Sequence, residues 1–195
     1  GGLGWYNQHL RNESVTHLPD PWLGSAAYRF LVVSTNKGEP VYLVEYVPKG
    51  KTLVVVEIPG ELVVPAAGGY GYYSINSLLS LGEQEGLGIR LLISTAMQQL
   101  GVSLRSALIS EPLPAQTDIS TVAMRGTNQL LAASLWKNEL GLAEASKLWW
   151  GVRQTDPGKR LTFQLDLEQV STEDNDVDGE VKHTFYPDLW DAWWD

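Results

Sequence analysis

Apolar positions along the chain fall into runs of two kinds. The first kind comprises Tyr28–Ser34 (YRFLVVS), Val41–Val47 (VYLVEYV) and Leu53–Ile58 (LVVVEI), which are short, rich in β-branched residues and almost continuously hydrophobic. That is the character of strands covered on both faces. Asn36-Lys37-Gly38 and Pro48-Lys49-Gly50 separate them, so the three predict a meander with its third strand over 52–58. Pro59-Gly60 ends that strand. Proline lacks the amide donor and glycine accepts any φ, so the chain can leave the sheet there, at a strand end of the sort that commonly meets ligand.

The second kind of run has a helical period. After a short apolar run and a Gly/Tyr-rich turn, Ser74 is placed to cap a helix carrying Ile75, Leu78, Leu79 and Leu81, with Gly82 as its stop. Leu87 to Leu100 presents Ile89, Leu92, Ile93, Ala96, Met97 and Leu100 at helical spacing before Gly101. A strand is expected over 103–110, ended by Pro112 and Pro114. Further helices are expected from Thr127 to Leu140 and from Ala143 to Val152. Asp156-Pro157-Gly158-Lys159 is a turn, and the alternation of Leu161, Phe163, Leu165 and Leu167 predicts a half-buried strand over 161–167. STEDNDVDGE (171–180) reads as an acidic loop, and YPDLWDAWWD as a short helix after Pro187. These elements predict an α/β fold with a mixed central sheet packed against helices. It forms a single domain over 1–195: an irregular lead-in (1–27), a core (28–167), and an acidic loop with a Trp-rich C-terminal helix (168–195).

Composition narrows the function. A length of 195 residues suits one ordinary core. The chain has 23 acidic against 14 basic residues, a formal charge of −9, and no stripe of cations, which argues against nucleic acid. No cysteine is present, so thiolate metal sites and cysteine nucleophiles are excluded. His9, His17 and His183 are scattered without a ligand spacing, which argues against zinc. There is no Gly-x-Ser-x-Gly elbow. No apolar run reaches the roughly 18 to 20 residues of a spanning helix, and Gly1-Gly2 reads as a trimmed end from which an anchor has room to be missing.

Around the Pro-Gly stop the order of signals resembles the extracytoplasmic domain of the LytR-CpsA-Psr family, which transfers glycopolymers from a polyprenyl-pyrophosphate carrier to the bacterial cell wall. The family's pattern is a strand ending S-I-P-R-D, a G-Y-G turn, then K-I-N opening a helix. Here the matching residues are Glu57-Ile58-Pro59-Gly60-Glu61, Gly69-Tyr70-Gly71 and Ser74-Ile75-Asn76. Gly101-Val102-Ser103-Leu104 resembles the family's next helix end and strand, so the likeness spans roughly 28–167. The resemblance implies an extracytoplasmic, membrane-anchored full-length protein whose partner is a lipid-linked glycan or isoprenoid phosphate, with Mg²⁺ as cofactor.

The departures from that pattern fall on the charges. The family clamps pyrophosphate with arginines, which donate in pairs and stay charged at neutral pH. In this chain the clamp arginine is Gly60, the lysine before Ile-Asn is Ser74, and the acidic residue survives as Glu61; Gly38-Glu39-Pro40 stands where the family places a metal Asp. Arg125 and Gln129 keep the spacing of a late Arg-to-Gln pair that opens a helix, where Arg125 would hold a phosphate at the helix N-terminus. The pyrophosphate-binding candidates are therefore Arg125, Gln129, Gly60, Ser74 and Asn76. The metal candidates are Glu61 and Glu39, for which solvated loop carboxylates are the plainer reading. Asp174 to Gly179 has the opening of a calcium loop, but its twelfth position is Phe185, so a polar loop is preferred. Trp149-Trp150 and Trp193-Trp194 are core-closing pairs on the plain reading and a lipid or sugar groove on the other. Three functions follow: a catalytically degenerate relative that still binds its lipid-linked ligand, an active transferase with arginines relocated to Arg90, Arg105, Arg125 or Arg153, and an extracellular interaction domain.

Overall fold

The five expected strands and a sixth, β1, lie side by side in one sheet, in the order β1 (Val15–His17), β7 (Ser106–Ser110), β2 (Tyr28–Ser34), β3 (Val41–Val47), β4 (Thr52–Ile58), β8 (Arg160–Gln164). The sheet is mixed. β2 runs parallel to β7, with Phe30 opposite Ser106 and Ser34 opposite Ser110, whereas β1 is antiparallel to β7. β4 lies between two neighbours, as its apolar run requires. The structure is a computed structural model that describes residues 15–17, 22–36, 38–111, 118–136, 141–166, 171–175 and 181–185.

The chain divides into two compact units of interleaved segments: 1–36, 42–56 and 104–163 in the first, 37–41, 57–103 and 164–195 in the second. In the first unit, Tyr28, Phe30, Val32, Val44, Leu53, Val55 and Leu108 form the core with residues of two helices, α3 (Ile119–Trp136) and α4 (Leu142–Arg153). Trp22 meets Tyr28 edge-on at 5.1 Å, an arrangement the ring quadrupoles favour. Two glycines set how closely helix backbones approach. A Cβ on Gly126 would stand 2.6 Å from Phe30 Cε2 and 3.3 Å from Leu108 Cδ1, and one on Gly151 would collide with the Tyr46 ring. Tyr28 is fully buried, and its hydroxyl is 2.8 Å from Ser106 Oγ, which is also buried. Each of these polar atoms thus satisfies the other inside the core.

The second unit holds a sheet that the sequence pattern does not announce: β6 (Gly71–Ser74), β5 (Val63–Ala66), β10 (Val181–Phe185), β9 (Ser171–Asn175), in that order. Helices α1 (Leu78–Gln84) and α2 (Arg90–Leu100) belong to this unit. Thr95 Oγ1 on α2 accepts from the Ala67 amide at 3.0 Å, and Gln99 Nε2 donates to the Pro65 carbonyl at 3.2 Å. These bonds hold α2 against β5. Gly101, at φ 62°, closes α2 in the left-handed conformation.

Several expectations need correction. Ser74 ends β6 and holds the N-cap position of a 3-10 turn over Ile75–Ser77, but its hydroxyl bonds no amide of that turn, and α1 begins only at Leu78. Gly82 lies inside α1 because the Gly88 carbonyl packs where its Cβ would be. The helix expected from Leu87 begins at Arg90, and the strand expected over 103–110 begins at Ser106. The helix expected from Thr127 begins at Ile119, with Asp118 accepting from the Ser120 amide and hydroxyl ahead of it. Along β8 and just past it the expected alternation holds from Thr162 to Asp166, with Phe163 half-buried and Leu165 buried, its amide bonded to the Glu57 carbonyl; Leu161 departs from it and is exposed. The acidic loop begins as a strand, β9, with Asp174 opposite Lys182 on β10, so the first residue of the supposed calcium loop belongs to a ladder. The lead-in contains β1 and the buried Trp22. The helix after Pro187, with Trp193-Trp194, lies outside the described residues.

Burial holds the Tyr28 phenol well above its ordinary range, with the Ser106 hydrogen bond pulling the other way and the Glu144 charge adding to the rise. A raised folded-state value means the neutral phenol is the form that suits the core. Its contribution is therefore complete below pH 10, the ordinary tyrosine value, and is lost as pH rises beyond it. Tyr28→Phe is expected to lower stability by about 1–3 kcal/mol at neutral pH, because the buried hydrogen bond between Tyr28 and Ser106 is lost. It should also flatten the fall in urea-measured stability above pH 10. An unchanged slope there would contradict this role for Tyr28.

Candidate functional site

The residues matched to the family's phosphate-binding pattern divide between the two units. In the second unit, Pro59 opens a turn in which the Leu62 amide donates to the Pro59 carbonyl at 3.1 Å. The Asn76 amide donates to the Gly60 carbonyl at 3.2 Å and the Ile75 amide to the Leu62 carbonyl at 2.9 Å, which lays the 3-10 turn directly on that loop. Ser74 Oγ donates to Asn76 Oδ1 at 3.1 Å, and Ser77 Oγ donates to the Ser74 carbonyl at 2.7 Å. Gly60, Ser74 and Asn76 are thus brought together, as the motif order anticipates.

Gly60 is buried and has no room for a side chain. A Cβ there would collide with the Glu39 carbonyl oxygen and stand 2.7 Å from Asn76 Nδ2. The glycine therefore reflects a close approach of two backbone segments as well as a way out of the strand. The family's arginine at this position would need a different local backbone. Glu39 is half-buried beside Gly60, and Glu61, next in sequence, is exposed. What converges here is a set of backbone groups, among them the Glu39 carbonyl, with the Ser74 hydroxyl and the Asn76 carboxamide. None of the candidates in this unit supplies a positive charge.

Among the described residues no group of three His, Asp or Glu side chains is gathered to hold a metal. Glu39 and Glu61 still match the donor set of Mg²⁺, which is commonly held by one or two carboxylates plus a ligand's phosphate oxygens.

Arg125 and Gln129 lie in the first unit, on α3. Arg125 is half-buried and sits in the helix interior, six residues after the first residue Ile119. Its expected position at a helix N-terminus is therefore corrected: helical amides in the interior are already bonded and offer nothing to an anion, so the guanidinium alone could meet a phosphate there. Of the other arginines, Arg90 is exposed at the start of α2, and Arg105 donates its backbone amide to the Arg29 carbonyl at 2.8 Å. Arg153 is engaged by Trp149, over whose ring it lies at 4.0 Å, and by Asn128, whose Oδ1 it reaches at 2.8 Å.

The sequence pattern missed what surrounds the tryptophans on α4. Trp149 Nε1 donates to Asn128 Oδ1 at 2.9 Å, and Trp150 leaves 58% of its surface in solvent. The core-closing reading of this pair is thus not met by Trp150. Adjacent tryptophans on a helix point in different directions, and that spacing was the available signal.

No protein-family model and no curated protein matches the chain. Solved structures do. TagT of B. subtilis aligns with a TM-score of 0.60 at 14% identity, covering 93% of this chain and 94% of its own. A LytR-CPS2A-psr family protein, YwtF (TagT), with bound octaprenyl pyrophosphate lipid aligns at 0.59 and 14%, covering 93% and 92%. TagV of B. subtilis aligns at 0.59 and 11%, covering 86% and 94%. At such identities the likeness is one of backbone, and it runs nearly end to end in both partners: the chain has the fold of the LytR-CpsA-Psr domains.

Proposed function

We propose that this chain is a cell-envelope domain of LytR-CpsA-Psr type that acts outside the cytoplasm, binds a polyprenyl-(pyro)phosphate-linked glycopolymer and transfers it poorly or not at all. The fold supports the ligand class, since YwtF (TagT) of the same fold carries octaprenyl pyrophosphate. Gly60 carries the loss of transfer. A site for a multiply charged pyrophosphate needs fixed cations, and here the position of the clamp arginine is closed to any side chain by the Glu39 carbonyl.

Loss of one charged, hydrogen-bonded partner in a desolvated site costs about 2–5 kcal/mol. At about tenfold in rate per 1.4 kcal/mol, two such losses lower turnover by several orders of magnitude. Ser74 in place of the lysine is the second. Mg²⁺ held by Glu39, Glu61 and the ligand's own oxygens would offset part of the deficit. The active-transferase alternative rests on Arg125, which keeps its four-residue spacing to Gln129 on α3.

Undecaprenyl phosphate at saturation is expected to raise the melting temperature by several degrees, because a ligand of the folded state at about 100 times its Kd adds about 2.7 kcal/mol. A flat melting curve across the titration would remove the lipid-binding reading and leave the interaction domain. In a transfer assay with a lipid-pyrophosphate-linked glycan and Mg²⁺, turnover should stay near background. Robust turnover abolished by Arg125→Ala would establish the active reading instead.

Restoring the family arginine should not restore activity. Gly60→Ala is expected to cost about 1–3 kcal/mol through overpacking against Glu39 and Asn76, and Gly60→Arg at least as much, with no gain in turnover. Gly158→Ala, at an exposed glycine with open space around its Cβ position, is the neutral comparison. Equal melting temperatures for Gly60→Ala and Gly158→Ala would refute the close-approach account.

A further inference from the structure

We infer that the groove between α3 and α4 is a binding platform for the pyranose rings of an acidic glycan, independent of the phosphate-binding reading above. The groove, with a volume of about 450 Å³, is lined by Leu131, Ser146, Lys147, Trp149 and Trp150. That composition, mostly apolar and aromatic with a few polar groups at the margin, is that of a small-ligand site. Trp149 and Trp150 are near-parallel, with ring centroids 6.3 Å apart and an interplanar angle of 27°.

Trp149 is held from two sides. Its indole nitrogen donates to Asn128 Oδ1 at 2.9 Å, and the Arg153 guanidinium lies 4.0 Å over its ring while bonding the same oxygen at 2.8 Å. A ring fixed in this way loses little freedom when a ligand arrives, which removes a main cost of binding. Beside it Trp150 presents a large apolar surface that is 58% exposed although the chain has a core to bury it in.

The chemistry of this surface selects the occupant. The face of an indole is electron-rich, and the axial C–H hydrogens of a pyranose ring are weakly positive and lie in a flat array, so sugar and indole match in shape and polarity. Ser146 and Lys147 precede Trp150 by four and three residues and so flank it on the helix surface, where a hydroxyl and an ammonium meet ring hydroxyls and an acidic substituent. Lys147 is the charged residue among those lining the groove. Its ammonium favours an acidic saccharide over a neutral one. An acyl chain would gain nothing from the Ser146 hydroxyl and the Lys147 ammonium, both of which are exposed at the groove.

The test uses the full chain with two probes, N-acetylated chitotetraose as the neutral glycan and a hyaluronan tetrasaccharide as the acidic one, titrated by calorimetry and by tryptophan fluorescence. Hyaluronan is expected to bind more tightly. Trp150→Ala should weaken both by about tenfold or more at an unchanged melting temperature, while Tyr72→Ala, at another exposed aromatic, should weaken neither. Lys147→Ala should erase the preference for the acidic probe without affecting the neutral one. The proposal is overturned if Trp150→Ala binds as the native chain does, or if Lys147→Ala keeps the preference. It also fails if neither saccharide binds while phosphatidylglycerol vesicles bind in a Trp150-dependent way.

Discussion

Parallel pairing of β2 with β7 is the constraint on which the first unit depends. Two parallel strands cannot be joined by a tight turn, so Phe30–Ser34 must find Ser106–Ser110 across most of the intervening chain. The pair stays buried on both faces only if a helix lies close above it, and α3 does so because residue 126 has no Cβ to strike Phe30 and Leu108. At the start of the pair, the Tyr28 hydroxyl reaches Ser106 Oγ across the same two strands. A slip of one residue would break that bond and turn apolar side chains to the wrong face.

In the second unit the comparable constraint is local. Gly60 lets the strand end come against the carbonyl of Glu39, and the 3-10 turn bonds onto the same loop through Asn76 and Ile75. The motif order that resembles the family's is thereby kept as a backbone feature, with glycine and serine standing where that pattern has cations. Here scaffold and electrostatics are separable: the loop's shape is fixed by glycine and backbone hydrogen bonds, and catalysis of phosphoryl transfer depends on fixed positive charge.

How far the sequence reveals this follows from where each signal resides. Tyr28–Ser34, Val41–Val47 and the strand over 52–58 were legible to the residue because continuous β-branched runs bounded by Gly and Pro leave few alternatives. β1, β6 and β9 are short or polar, and their strand character comes from pairing with partners distant in sequence. The true start of α3 was missed although Ile119, Val122 and Ala123 already have helical spacing: Gly126 reads as a break in a helix, which left Arg125 at an apparent helix start. Candidate residues Gly60, Ser74 and Asn76 were recognisable from their order. The reason for the glycine was not, because it is the Glu39 carbonyl, a tertiary neighbour.

The interleaving of the two units bears on how the chain acquires its structure. β5 and β6 form an adjacent antiparallel pair early in the sequence, but the other neighbour of β5 is β10, near the end, with Val63 opposite Thr184. Until residues 181–185 have been synthesised, β5 lacks its β10 neighbour, and a two-stranded ribbon of this kind is marginal by itself. Contacts of such long sequence separation slow folding and lengthen exposure of unpaired strands. Neither unit is a continuous stretch, so a cut that removes the C-terminal hairpin also strips the neighbour from β5. The sheet beside the glycine loop is thus completed only after every segment of the first unit, up to residue 163, has been synthesised.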